Sequence, residues 1–349
     1  MTLRYHININ ILSIFMLALS ASSASAFDFT AGDFNFKVNG NLRNYVDSDH
    51  IKGQKSKGTK LTGDVNNIWL YADVPVYKDA GLVAFADLRT NLNIDNAGAN
   101  TATNSSAIPS IGDDRALFGV KNGYFSIGAG RDAHQLWTMT RYNGIFDEMF
   151  ASPSSQIHNL GGRRFNNAIF GKIKLLENWE VGIDYKLSET VTNNNLQPGQ
   201  LVIGSKINLG QNLLLQGAWM NGLPGNEALQ GMLVWQIPKY SSKFSFIGSR
   251  NQVEYERWIG YEIMYTYNLT PKLDLIAGVG GNTRQAGNLH TYSGGLQYKF
   301  TDNVRMMLRG TKWDTSGVTY SYGNAAKGSD SLGSGTDRSQ IGLGMHILF

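Results

Sequence analysis

Apolar and polar residues alternate with a period of two from Phe34 to the last residue. In Phe34-Asn35-Phe36-Lys37-Val38-Asn39 the apolar side chains occupy even positions and the polar ones odd. Leu82, Ala84, Ala86, Leu88, Leu92 and Ile94 repeat the pattern against Asp87, Arg89, Asn91 and Asn93. So do Ile259, Tyr261, Ile263, Tyr265, Tyr267 and Leu269 against Glu262, Thr266 and Asn268, and finally Ile341, Leu343, Met345, Ile347 and Phe349. Successive strand side chains point to opposite faces, so each segment predicts a strand with one apolar and one wet face.

The connections alternate as well. Tight links with turn chemistry fall at 76–80, 121–123, 177–178, 210–212, 238–242, 270–272 and 301–303. Longer stretches rich in Gly, Ser and Asn fall at 48–62, 95–113, 131–163, 190–199, 221–227, 251–257, 282–289 and 315–336. Together they delimit sixteen strands, near 33–47, 64–75, 81–95, 114–121, 123–131, 164–175, 179–189, 200–209, 213–221, 228–237, 243–251, 258–269, 273–282, 291–300, 304–314 and 337–349. A soluble sandwich would also give one apolar face per strand. An even strand count, strict alternation of short and long links, and segments near the ~9–11 residues that cross a bilayer at a tilt favour a transmembrane antiparallel β-barrel. Trp179, Trp219, Trp235, Trp258, Tyr298, Phe300 and Phe349 lie toward strand ends, where a barrel anchors at the membrane interfaces.

Composition narrows the class further. The 349 residues include 40 Gly and no Cys, and charged residues make up 17%, against roughly 25% in average domains. The missing cysteines exclude disulfide frameworks and thiolate metal sites. Residues 1–26 read as a secretory leader: Arg4, an apolar stretch from Ile9 to Leu19, and Ala24-Ser25-Ala26 as cleavage pattern. The mature barrel domain is then 27–349. Its small positive charge, +4 for the whole chain, gives no reason to expect a nucleic-acid partner.

Three stretches carry a family likeness. Residues 118–131, FGVKNGYFSIGAGR, resemble a porin hairpin that ends in Gly-Arg and leads into the third extracellular loop. Residues 161–169, GGRRFNNAI, are similar to the start of the strand leaving that loop, and the terminal Phe349 resembles the signature read by outer-membrane assembly machinery. The family is that of Gram-negative general porins, nearest the neisserial-type, sixteen-stranded trimeric porins. His346 stands one residue further from the final Phe than is usual there, and no Pro-Glu-Phe-Gly-Gly motif is present. The resemblance implies a homotrimer in the outer membrane, surrounded by lipid and lipopolysaccharide. It also implies passive passage of ions and small hydrophilic solutes, no cofactor, and a third loop, 131–163, folded into the pore.

If apolar positions face lipid, the alternate positions line the lumen. Basic ones are Lys37, Arg43, Arg89, Arg131, Arg164, Lys172, Lys174, Lys186, Lys206, Lys299, Arg305 and Arg309. Acidic ones are fewer: Asp73, Asp87, Glu180, Asp184, Glu262 and Asp274. The excess predicts a weak preference for anions. Asp147 and Glu148 are the expected acidic tip of the third loop, facing Lys37, Arg43, Arg89, Arg131 and Arg164 across a constriction. Opposed charges there would set up a transverse field. A substrate-specific channel is a second reading, with Trp69, Tyr71 and Trp313 as candidates for a stacking track, and a surface adhesin or phage receptor is a third. Catalysis is not expected. His50, His134, His158, His290 and His346 are scattered, and no nucleophile–base spacing, zinc ligand set or phosphate loop occurs.

Overall fold

Hydrogen bonding accounts for the architecture. A computed structural model describes residues 27–51, 59–63, 67–91, 115–133, 164–191, 195–197, 199–221, 227–253, 256–284, 287–316, 320–322, 330–332 and 338–349. Its main sheet contains β1 (Phe27–Ala31), β2 (Phe34–Ile51), β3 (Thr59–Gly63), β4 (Asn67–Tyr77), β5 (Leu82–Asn91), β6 (Arg115–Lys121), β7 (Phe125–Ala133), β8 (Arg164–Leu176) and β9 (Trp179–Lys186). It continues through β12 (Gln200–Leu209), β13 (Leu213–Asn221), β14 (Glu227–Ile237), β15 (Ser242–Val253), β16 (Glu256–Thr270), β17 (Leu273–Arg284), β18 (Gly287–Lys299), β19 (Val304–Ser316) and β22 (Arg338–Leu348). Every pairing is antiparallel, and β22 pairs with β19 on one side and β2 on the other, which closes the sheet. β3 and β4 run along one edge of β2, and β1 continues the line of β22 along the other. The result is a sixteen-stave barrel, one stave having β1 as an added N-terminal piece. Closure leaves no row of unpaired N–H and C=O groups.

The expected strands and turns are present, with three differences. β1 is an additional strand, joined to β2 by a two-residue turn at Gly32, whose φ of 63° suits glycine. The strand expected over 64–75 is β4, and β3 lies at the end of the stretch 48–62 expected to be a loop. Two short hairpins, β10 (Glu189–Val191) with β11 (Asn195–Gln197) and β20 (Tyr320–Tyr322) with β21 (Asp330–Leu332), occupy stretches expected to be loops. The short turns are fixed by side chains. The Asn122 carboxamide accepts from the Tyr124 and Phe125 amides, and the Thr270 and Thr301 hydroxyls accept from amides two and three residues on.

The barrel is apolar outside and polar inside. On β16, Ile259 is 60% exposed and Tyr265 40%, while the intervening Glu262 and Thr266 are 3% and 5%. A water-soluble sheet would reverse this. Exposed Phe27, Phe29, Phe34, Tyr77, Tyr124, Phe125, Trp179, Trp235, Tyr240, Tyr267 and Tyr298 gather at the short-turn end, and Phe29 stacks on Phe36 at 4.8 Å. Such rings suit a membrane–water interface. Trp258 differs from expectation: the β15–β16 register pairs it with Asn251, on the inward phase, and it is buried. Among the described residues no helix is long and apolar enough to cross a membrane.

Where the chain ends meet, Phe349 exchanges two backbone hydrogen bonds with Gly40, and Phe27 sits opposite Val38, two positions earlier in β2. The Phe349 ring lies over Gly40, where any Cβ would collide with it. Gly40→Val therefore forces the Phe349 ring out of its seat over β2, at a cost of about 1–3 kcal/mol typical of overpacking. A lowered denaturation midpoint and a smaller heat-shifted band on unheated gels are the expected readouts. Gly231→Ala, whose Cβ meets nothing within 4 Å, should leave both unchanged.

Candidate functional site

The inward phase is set by register, and it sorts the lumenal wall into two unlike sides. On one side lie Lys299, Arg305, His346 and Arg43, which are successive cross-strand partners on β18, β19, β22 and β2. Arg43 Nε donates to Asn41 Oδ1 at 3.2 Å and lies 3.4 Å from His346 Nε2. Lys299 Nζ is 2.8 Å from Asp274 Oδ2, which also accepts from Gln297 Nε2 at 3.0 Å. Neighbouring strands are ~4.8 Å apart, so these three cations, with His346 between two of them, form a band about 15 Å wide.

The basic side continues through β4, β5 and β6. Trp69, Arg89 and Arg115 form the next row, and Arg89 stacks its guanidinium on Trp69, 4.1 Å from the ring centroid. Arg115 is fully engaged: Nη1 reaches Asp87 Oδ2 at 2.7 Å, and Nε and Nη2 both reach Asp132 Oδ1 at 2.7 Å. This fork braces three strands and leaves little of the Arg115 charge for solutes.

The opposite side is apolar. Phe165, Ala168, Phe170, Val202, Leu214, Ala218, Met220, Ala228, Met232, Val234 and Ile247 form one cluster on β8 and β12 to β15, and Leu117 packs against it. All are on the inward phase, and their exposures run from 0 to 6%. A wall bounded only by water would leave such side chains exposed. Around it stand Lys172, 3.8 Å from Glu180, and the inward Lys174 and Lys206.

A closed sixteen-stave antiparallel barrel, apolar without and charged within, matches solved outer-membrane proteins over nearly its whole length. An anion-selective porin from Comamonas acidovorans superposes with TM-score 0.74 at 12% identity, covering 90% of this chain and 100% of that one. OmpT of Vibrio cholerae gives 0.68 at 11%, covering 93% and 100%, and Salmonella typhi OmpF in complex with daunomycin gives 0.66 at 12%, covering 93% and 100%. The fold is the porin fold. No protein-family model and no curated protein matches the sequence.

The residues expected at a constriction are distributed unevenly over this porin fold. Arg43 and Arg89 stand on the inward wall as expected. Lys37 also faces inward, but near the β1–β2 turn, 3.6 Å from Asp28. Arg131 is corrected: the β6–β7 register sets it opposite Ala116, on the phase of outward Phe118, while Gly130 pairs with inward Leu117. The wall position belongs instead to Asp132. Arg164 begins β8, and its side chain, with Asp147 and Glu148, lies outside the described residues.

Lumenal residues that the sequence did not reveal include Arg115, Lys121, Asp132, Lys243 and Arg338. The alternation Ala116, Phe118, Val120 carries the signal for the first two. Leu117, an inward apolar residue, obscures it.

The Arg115 fork has a measurable role. Arg115→Met strands Asp87 and Asp132 without their shared cation. Removing one partner of a fully buried pair costs about 3–5 kcal/mol; these side chains keep some water contact, at 14 to 26% exposure, so about 1–3 kcal/mol is expected from urea unfolding in detergent or lipid. Adding Asp87→Asn and Asp132→Asn should recover part of the loss.

Proposed function

We propose that this chain is an outer-membrane general-diffusion channel with a weak preference for anions. The observation that carries the reading is the two-sidedness of a closed sheet: lipid-compatible outside, and lined inside by more basic than acidic side chains. Hydrocarbon offers no partner for backbone groups, so a closed barrel is the sheet that can span it. The row of Lys299, Arg305 and Arg43, with His346 between the two arginines, then favours the transit of anions by raising their local concentration.

In this reading the protein is a neisserial-type porin and a homotrimer, embedded among outer-membrane lipid and lipopolysaccharide in a Gram-negative cell. The leader is removed near Ala26, which leaves the new N-terminus at Phe27, beside the Phe349 junction. The third loop, 131–163, folds inward. Burial of the apolar cluster on β8 and β12 to β15 supports this, because the segment that leaves β7 and enters β8 carries Trp137, Phe146, Met149 and Phe150 to cover it. Asp147 and Glu148 would then face Arg43 and Arg89 across the remaining water. Solutes pass without chemical change, so the chain is a channel and not an enzyme.

Reconstitution into planar bilayers tests this directly. Discrete conductance steps are expected, in sets of three equal closures, with a reversal potential in a KCl gradient displaced toward the chloride equilibrium. Arg43→Gln with Arg305→Gln should move that potential toward zero. Cation preference would remove the selectivity, and a barrel that folds but never conducts would remove the channel. One observation favours a more selective variant of this function, and it lies on β4 and β5.

A further inference from the structure

Aromatic rings line the lumen on β4 and β5, where cations cover them. Trp69 and Tyr71 are alternate inward residues of β4, and Phe85 is inward on β5, opposite Asp73. The Tyr71 and Phe85 rings lie nearly parallel, 18° apart in plane and 6.4 Å between centroids. Arg89 sits over Trp69, and Lys121 Nζ on β6 is 4.8 Å from the Tyr71 centroid and 5.8 Å from that of Phe85. Rings and cations thus interleave along one track that runs down β4 and β5 toward the short-turn end.

All three rings are half-buried, so part of each remains available to the lumen. Trp69 Nε1 is buried and has no hydrogen-bond partner among the described residues. Two acids flank the track, each with a partner: Asp87, opposite Tyr71, is held by Arg115 at 2.7 Å, and Asp73, beside the Tyr71 hydroxyl, accepts from the Asn35 carboxamide at 2.9 Å. Lys121 forms no ion pair among the described residues.

We propose that Trp69, Tyr71 and Phe85, with Arg89 and Lys121, form a transit subsite for planar aromatic carboxylates. The inference rests on the open channel proposed above. A flat solute face can stack on the rings while its carboxylate meets a guanidinium or ammonium. Inorganic anions use only the cations, and neutral sugars use only the rings. Each contact is weak and the positions are successive, which permits a solute to enter and leave, as conduction requires.

Single-channel current in KCl, with benzoate, cyclohexanecarboxylate or acetate added at equal concentration, tests the proposal. The two six-membered carboxylates carry the same charge and similar bulk, and only benzoate is planar and aromatic. Benzoate is expected to block at severalfold lower concentration than cyclohexanecarboxylate, with acetate weakest. Trp69→Leu with Phe85→Leu should bring the benzoate-to-cyclohexanecarboxylate ratio most of the way to one, with only Tyr71 left to discriminate, each block being normalised to that variant's own KCl current. The single Trp69→Phe should keep most of the discrimination and guards against misfolding of the double variant. Equal block of the wild-type channel by both carboxylates would overturn the subsite, as would discrimination undiminished by loss of the two rings. Absence of any KCl current would instead strike the channel reading.

Discussion

Backbone hydrogen bonding in a medium that offers no partners is the constraint on which the rest depends. Each amide on the staves must find its complement within the protein, and the antiparallel ladder supplies it only if the first and last strands join. β22 performs that closure by bonding both β19 and β2. Once the sheet is closed, one side chain in two must face outward, and the period-two alternation of apolar residues follows. The exposed isoleucines and tyrosines of β16 are therefore not an unburied core. They are the surface that the surroundings require.

Closure also makes the interior a single shared space whose opposite sides differ. The inward apolar cluster of β8 and β12 to β15 and the basic row of β18, β19, β22 and β2 face each other across the lumen. A field between such walls is directed by fixed groups, because braces such as the Arg115 fork hold the side chains in one arrangement. Low mobility matters here, since a charge free to swing away would average its field out.

Most of the barrel was legible in the sequence because each stave is local: alternation fixes its faces and turn chemistry fixes its ends. Asn122, Thr270 and Thr301 announce their turns by side chains that substitute for backbone acceptors. Nonlocal features were not legible. β1 has no meaning alone, since it extends a stave that begins with the other end of the chain. Arg131 was placed one residue out of phase because Gly128, Ala129 and Gly130 before it leave the two faces of β7 unmarked, and a single-residue slip exchanges the two faces. The inward Val202, Leu214, Met232 and Ile247 break the rule that the wet face is polar, so no pattern could mark them. Asp147 and Glu148, the acids expected at the constriction, lie outside the described residues.

The meeting of Phe27 and Phe349 on the same edge of β2 has a topological consequence. The stave they complete is continuous in space although it is interrupted in covalent order. A short peptide joining the two would bridge neighbouring positions of an existing strand and add no new crossing. The covalent start of the barrel is thus arbitrary with respect to its shape: the same cylinder could be opened at another long connection, as a circular permutant, with every ladder preserved.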